Sequence, residues 1–450
     1  MQLSTSRRKM LSALTVGALV GLVAACGGSG DGNGNGNGKT TLTYRIWDEQ
    51  QQKGYEKVFE AFKVKHPDID VKIELQPYDQ YWTKLVTEMV SGTAPDVFWM
   101  TPANFPELAT QGGLMDVSAA VEQSGLTKDK YHPNVVDSFT YREKMYAVPK
   151  DWGVPGMLYN KQVFAEAGVE MPTEPLTWAP DGSGTFLPLM QKLTVDVNGK
   201  HPNESGFDPA KVKRWGFASW NHSGTQWLNW IPSNGGTTIT KPYGTFNFNE
   251  PASVEALQWG VDLIEKWHVS PPAEQTNPPA GRATEMFQRG EVAVFPANNA
   301  LLPFVAPSST FPIGTASLPA GKAGRVVIIN GLGEAVYSRT EHPDQAKQLV
   351  SFLATPQAQA IMAEGGYVFP AINDLAPRYV EHWKAKGIDT QPFLDEARGK
   401  TVNFPIVSGF AAAEPKINQI FNDMYLGSVN VSDAAGEAVK QGNALLTPEK

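Results

Sequence analysis

The side chains of this chain that suit chemistry at a site are mostly indoles, carboxylates and amides. Trp47, Asp48, Gln51, Trp99, Asn104, Asp151, Trp152, Trp220, Asn221, Trp227, Trp230, Asn298, Asn299 and Asn330 make up the main inventory, joined by Tyr81, Gly331 and Tyr367. An indole face suits the apolar C–H face of a pyranose, while carboxylates and amides exchange hydrogen bonds with its hydroxyls. Burying such polar groups is tolerable only when they are hydrogen-bonded. A phosphate, amino acid or organic acid would instead call for arginine, lysine or bared helix N-termini, and this inventory is not basic. It points to a neutral carbohydrate, from monosaccharide to oligosaccharide. The alternative is a non-sugar solute such as a polyamine or a glycerol phosphate ester; Asp48, Glu49 and Asp151 favour the cation of those two.

Each group also has a purely structural reading. Trp227 and Trp230 are three apart and share one helix face, so either can be core, as can Trp215. Asn298-Asn299 can be a turn, Asp96 a cap, and Asn330-Gly331-Leu332-Gly333 a tight turn whose glycines permit close backbone approach. Catalytic motifs fail one by one. There is no H-E-x-x-H, no metal spacing among the histidines and no G-x-S-x-G elbow. Gly38-Lys39-Thr40 follows no strand and has Asn33 where a P-loop needs its first glycine. A dinucleotide fingerprint from Gly331 fails at its last glycine. No metal and no cofactor is expected. A glycoside hydrolase is the enzyme class left standing, because its paired carboxylates come from anywhere in a chain.

The elements that must position these groups alternate. Leu42, Tyr44 and Ile46 share a strand face, and Tyr55, Val58, Phe59 and Phe62 share a helix face that closes before His66-Pro67. Val71, Ile73 and Leu75 alternate again, Tyr81, Leu85 and Met89 mark a second helix ending near Gly92, and Val97 to Met100 is a short buried strand. This βαβαβ order predicts an α/β fold with a parallel sheet flanked by helices, in which ligands sit beyond the carboxyl ends of the strands. That rule selects Trp47 to Gln51 and Trp99 to Asn104. The prolines and glycines from Pro149 to Gly156 read as a hinge strand between lobes.

At 450 residues the chain is long enough for two or three lobes. Its net charge of −8 excludes a nucleic-acid partner. One cysteine forbids an internal disulfide. Residues 1–25 carry Arg7, Arg8 and Lys9, then the apolar stretch Met10 to Ala25, the order of a secretory signal and too short to span a bilayer comfortably. Val23-Ala24-Ala25-Cys26-Gly27 resembles a bacterial lipobox, which implies a diacylglycerol on Cys26. Residues 26–39 are glycine- and asparagine-rich and read as a flexible tether. An extracytoplasmic monomer anchored by lipid is expected.

Pro95-Asp96-Val97-Phe98-Trp99 with LATQGGLMDV (108–117) resembles the signature region of the family 1 extracellular solute-binding proteins of ATP-binding cassette importers. KMYAVPKDWGVPGMLYNKQVF (144–164), ATEMFQRGEVAV (283–294), the glycine-rich strand and helix from Gly331 to Leu353, and Thr355-Pro356-Gln357-Ala358-Gln359 are similar to further elements of that family in the same order. The likeness spans about Thr40 to Leu445 and departs from the family between Glu170 and Ser219, where a Gly- and Pro-rich insertion (180–188) follows Trp178. The resemblance implies a two-lobe periplasmic-binding-protein-like fold, each lobe a mainly parallel sheet flanked by helices and joined by hinge crossings. Lobe 1 would be residues 40–150 with about 324–366, and lobe 2 residues 151–323 with about 367–450. Tyr367 to Ala371 would be a crossing. The implied function is non-catalytic capture of a solute by lobe closure, with a permease pair and cytoplasmic ATPases as partners.

Overall fold

The structure is a computed structural model that describes residues 39–277 and 282–447. The leader, Cys26 and all of the tether but Lys39 lie outside the described residues. The strands run β1 (Thr40–Ile46), β2 (Ile69–Leu75), β3 (Val97–Met100), β4 (Thr140–Tyr141), β5 (Lys144–Met145), β6 (Ala147–Gly153) and β7 (Pro155–Asn160). They continue as β8 (Val195–Asp196), β9 (Val212–Phe217), β10 (Val292–Asn298), β11 (Ile313–Ala316), β12 (Val326–Val336), β13 (Phe369–Pro370) and β14 (Lys400–Asn403).

The predicted opening holds. Helix α1 (Glu49–Lys65) follows β1 and buries Tyr55, Val58, Phe59 and Phe62. Asp48 caps it and Pro67 lies just beyond its end at His66, as the sequence signals require. Helix α2 (Tyr78–Ser91) buries Tyr81, Leu85 and Met89 and stops at Gly92, whose φ of 82° is the left-handed cap that glycine adopts without strain.

The molecule is the two-lobe α/β class expected, built on two sheets. One has seven strands in the order β13-β6-β12-β3-β1-β2, with β14 added beside β12; the other has five, β11-β7-β10-β9-β8. Both sheets are mixed rather than mainly parallel. β1 pairs in parallel with β2 and β3, but β12 pairs antiparallel with β3 and β6, and β13 with β6. In the second sheet only β10 with β9 is parallel. The reversal in the first sheet sits on β12: it runs against both β3 and β6, so β6 keeps the direction set by the βαβ units while β12 and β13 oppose it. The chain leaves the seven-stranded sheet at Gly153, at the end of β6, which lies between β12 and the edge strand β13.

Each sheet has its own aromatic core. Tyr44, Tyr55, Phe59 and Trp99 pack under the first, with ring centroids 4.9 to 5.8 Å apart. Trp178, Phe186, Phe217, Trp230 and Trp259 pack under the second. In the segment 170–219, Trp178 is buried in that core. Gly184 there, at a φ of 107°, sits so close to Thr177 that an added Cβ would lie 2.5 Å from its carbonyl oxygen.

Candidate functional site

A cleft of about 470 Å³ opens where the two sheets meet. The β1–α1 corner brings Trp47, Asp48 and Gln51; the end of β6 brings Asp151, Trp152 and Gly153; Asn298 ends β10; Asn330, Gly331 and Leu332 come from the middle of β12. Leu301, Phe304 and Val368 add apolar walls. No lysine, arginine or histidine lines it among the described residues.

Each polar group is held by the local fold. The Asp48 carboxylate accepts from the Gln50 and Gln51 amides at 2.8 and 3.2 Å and from Gln51 Nε2 at 2.8 Å. Gln51 Oε1 accepts from Lys150 Nζ at 2.8 Å. Asp151 Oδ1 accepts from the Leu332 amide at 2.9 Å and Oδ2 from Lys150. Asn298 Oδ1 accepts from the Leu301 amide, and Asn330 Oδ1 from the Gly331 amide. Trp152 stacks on Phe369 at 4.4 Å with planes 4° apart. Trp47 stands edge-on to Trp99 and Tyr81, both at 4.9 Å. Gly331 is required by space: an added Cβ would lie 2.5 Å from the Asp151 carbonyl oxygen.

Beneath the cleft lies a buried carboxylate, Glu334. Tyr44 and Tyr55 donate to it at 2.5 and 2.6 Å, and Trp99 Nε1 donates to Tyr44 at 2.8 Å. Burial pushes the Glu334 pKa up to about 7, against the two tyrosine hydrogen bonds and the charge of Lys150.

Other sequence candidates lie elsewhere. Tyr81 and Trp99 form the packing behind Trp47, with Tyr81 Oη donating to the Trp99 carbonyl at 3.0 Å. Asn104 donates to Thr101 Oγ1 and immediately precedes the helix Phe105–Thr110. Asn299 is fully buried, its Oδ1 accepting from the Val154 amide at 2.7 Å. Tyr367 packs over Gly54 and Gly365. Trp227 lies in the core against Phe248 and Phe421, and Trp230 packs on Trp178 and donates to Gln226. Trp220 and Asn221 follow β9. Trp220 stacks on His222 at 4.6 Å, and Asn221 Nδ2 donates to the Asn418 carbonyl.

Sequence reasoning missed Lys150 and Glu334, whose signal was a charge inside an otherwise buried strand. It also missed His222 and Glu414. Burial takes His222 down to about 4 and raises the Glu414 pKa, while Ser223 donates to Glu414 at 2.8 Å. The Tyr78 pKa is raised, by desolvation first and by the charge of Glu414 second. No cluster of three or more His, Cys, Asp or Glu suited to a metal occurs among the described residues.

Two sheets joined at a hinge, with a cleft of fixed polar groups and indoles between them, define a bilobal solute receptor. The chain matches the bacterial extracellular solute-binding protein family over residues 47–360 and belongs to it. It is similar to the multiple sugar-binding protein of Streptococcus mutans, 24% identical over 354 residues that cover 76% of this chain and 77% of the relative. It is also 24% identical to the diacetylchitobiose binding protein DasA of Streptomyces coelicolor, across 97% of both chains. Among solved structures it resembles UspC of M. tuberculosis, with 33% identity and a TM-score of 0.75 over 90% of this chain and all of that one.

Proposed function

We propose that this chain is a lipid-anchored extracytoplasmic receptor that captures a neutral carbohydrate by closing two lobes over it and delivers it to an ATP-binding cassette importer, with no chemical step. The observation that carries this reading is the cleft lining: two indoles and three amides beside three carboxylates, with no cationic side chain. Trp47 and Trp152 would meet sugar C–H faces, Asp48 and Asp151 would accept from hydroxyls, and the NH2 groups of Asn298 and Asn330 would donate to ring or hydroxyl oxygens. Relatives named for multiple sugars and for diacetylchitobiose support the solute class. Residues 40–153 with most of β12 form one lobe in this reading, and the β7-to-β11 body the other; β13 and β14, expected in the second lobe, pair with the sheet of the first. Cys26 carries the anchor.

Titration calorimetry on residues 39–450 with maltose, maltotriose, diacetylchitobiose and mannotriose tests the reading. At least one should bind near the micromolar range, about 8 kcal/mol, with no product released on prolonged incubation. Binding of spermidine or glycerol 3-phosphate in place of all four sugars, with an affinity that falls steeply with salt, would overturn it.

A further inference from the structure

Lys150 is a charged side chain that belongs to neither the surface nor the cleft lining. Its side chain is 3% exposed, and an ammonium taken out of water is costly unless its protons are bonded and its charge balanced. The backbone explains how it got there. Leu332 of β12 opposes Asp151 of β6, but the next residue, Gly333, opposes Pro149, so the register slips and Lys150 is the extra residue of a β-bulge. Neighbours in a regular strand point to opposite faces. The bulge instead brings Lys150 and Asp151 to the same place, where the ammonium donates to Asp151 Oδ2 and Gln51 Oε1 and lies 4.2 Å from the centre of the Trp99 ring.

We propose that Lys150 is the positioning residue of the cleft, setting from below the orientation of the Gln51 amide and the Asp151 carboxylate that the solute meets. The Gln51 amide has two possible orientations, and only the one with Oε1 inward faces an ammonium favourably. That choice turns Nε2 outward to Asp48 Oδ2. One cation therefore orders a string of bonds, Asp48 to Gln51 to Lys150 to Asp151 to the Leu332 amide, whose two carboxylates both line the cleft. Without the ammonium, neither Gln51 Oε1 nor Asp151 Oδ2 keeps the donor that fixes it, and the Asp151 carboxylate is left with the Leu332 amide.

This inference rests on the solute-binding reading, and its test separates the two. Calorimetry uses the tightest binder of the four saccharides named above, on the wild type and on Lys150→Met, Asp151→Asn and the double variant. Lys150→Met should weaken binding at least tenfold in the wild-type background and no more than about twofold in the Asp151→Asn background, the coupling expected of a residue that acts through its neighbour. Equal losses in both backgrounds, or wild-type affinity in a folded Lys150→Met, would overturn the proposal. Should Lys150→Met not fold, Lys150→Gln carries the same cycle, keeping a donor without the charge. If no saccharide binds the wild type, the function proposed above fails and Lys150 is judged on crystal structures without solute. Rotation of Gln51 and Asp151 in the variant upholds its role, and unchanged side chains refute it.

Discussion

Glu334 shows at residue scale how a buried group links this molecule to pH. Its pKa in the folded protein is about 7, above the ordinary 4.5, with burial as the main cause. The folded state therefore keeps a proton that the unfolded chain releases between those values. Stability conferred by this group is full below about pH 4.5, declines as pH rises towards 7 and is lost above it. Calorimetric scans of Glu334→Gln against the wild type should show the variant with a shallower fall in Tm between pH 5 and 7; parallel curves would mean that Glu334 titrates normally. Its neighbours in that window are Tyr44, Tyr55, Lys150 and Asp151. Asn299 makes a different point at the same scale. It reads in the sequence as a solute-binding amide or half of a turn at a strand end, and its side chain is a buried tie that bonds Val154 and the Trp152 carbonyl across the crossing. A side chain's type and place at a strand end did not say on which side of the strand it would fall.

Among the elements, β12 is the most demanding. It pairs with β14, β6 and β3 along its length, and Gly331 faces Asp151 with no room for a side chain. Gly331→Val should therefore push β12 off β6, lowering Tm by about 5 °C or more, on the scale of overpacking in a domain of this size. It should also abolish saccharide binding; a variant with unchanged melting would show that the strand yields. Legibility from sequence divides along the same line. β1, α1, β2, α2 and β3 were legible because their apolar spacing repeats locally and His66-Pro67 and Gly92 punctuate it. The strand ends Trp47 to Gln51 were legible as cleft residues for the same reason. The bulge at Lys150 and the reversed entry of β12 were not, because each depends on pairing between segments far apart in the chain, and the shared face of Trp227 and Trp230 left open whether it meets the core or the cleft. Periodicity carries no such information.

At the scale of the whole molecule, closure requires contacts that exist only when the lobes meet, since a solute shifts a two-state equilibrium only by its differential affinity. Trp47 and Asp48 from the first sheet and Asn298 from the second line one cleft. X-ray scattering of residues 39–450 should accordingly show a smaller radius of gyration at saturating saccharide, and identical profiles would refute closure. β12 constrains the form of that motion. It is an unbroken strand of 11 residues, tied at its start to Asn229 and Ser233 and zipped at its far end into β3. A rod gripped at both ends answers rotation by twisting, so under the closure proposed above β12 would act as an axle whose torque reaches the hairpin Gly321–Gly324 just ahead of it. A fluorescent domain grafted into that hairpin would turn with the axle and convert the arrival of a solute into a change of light.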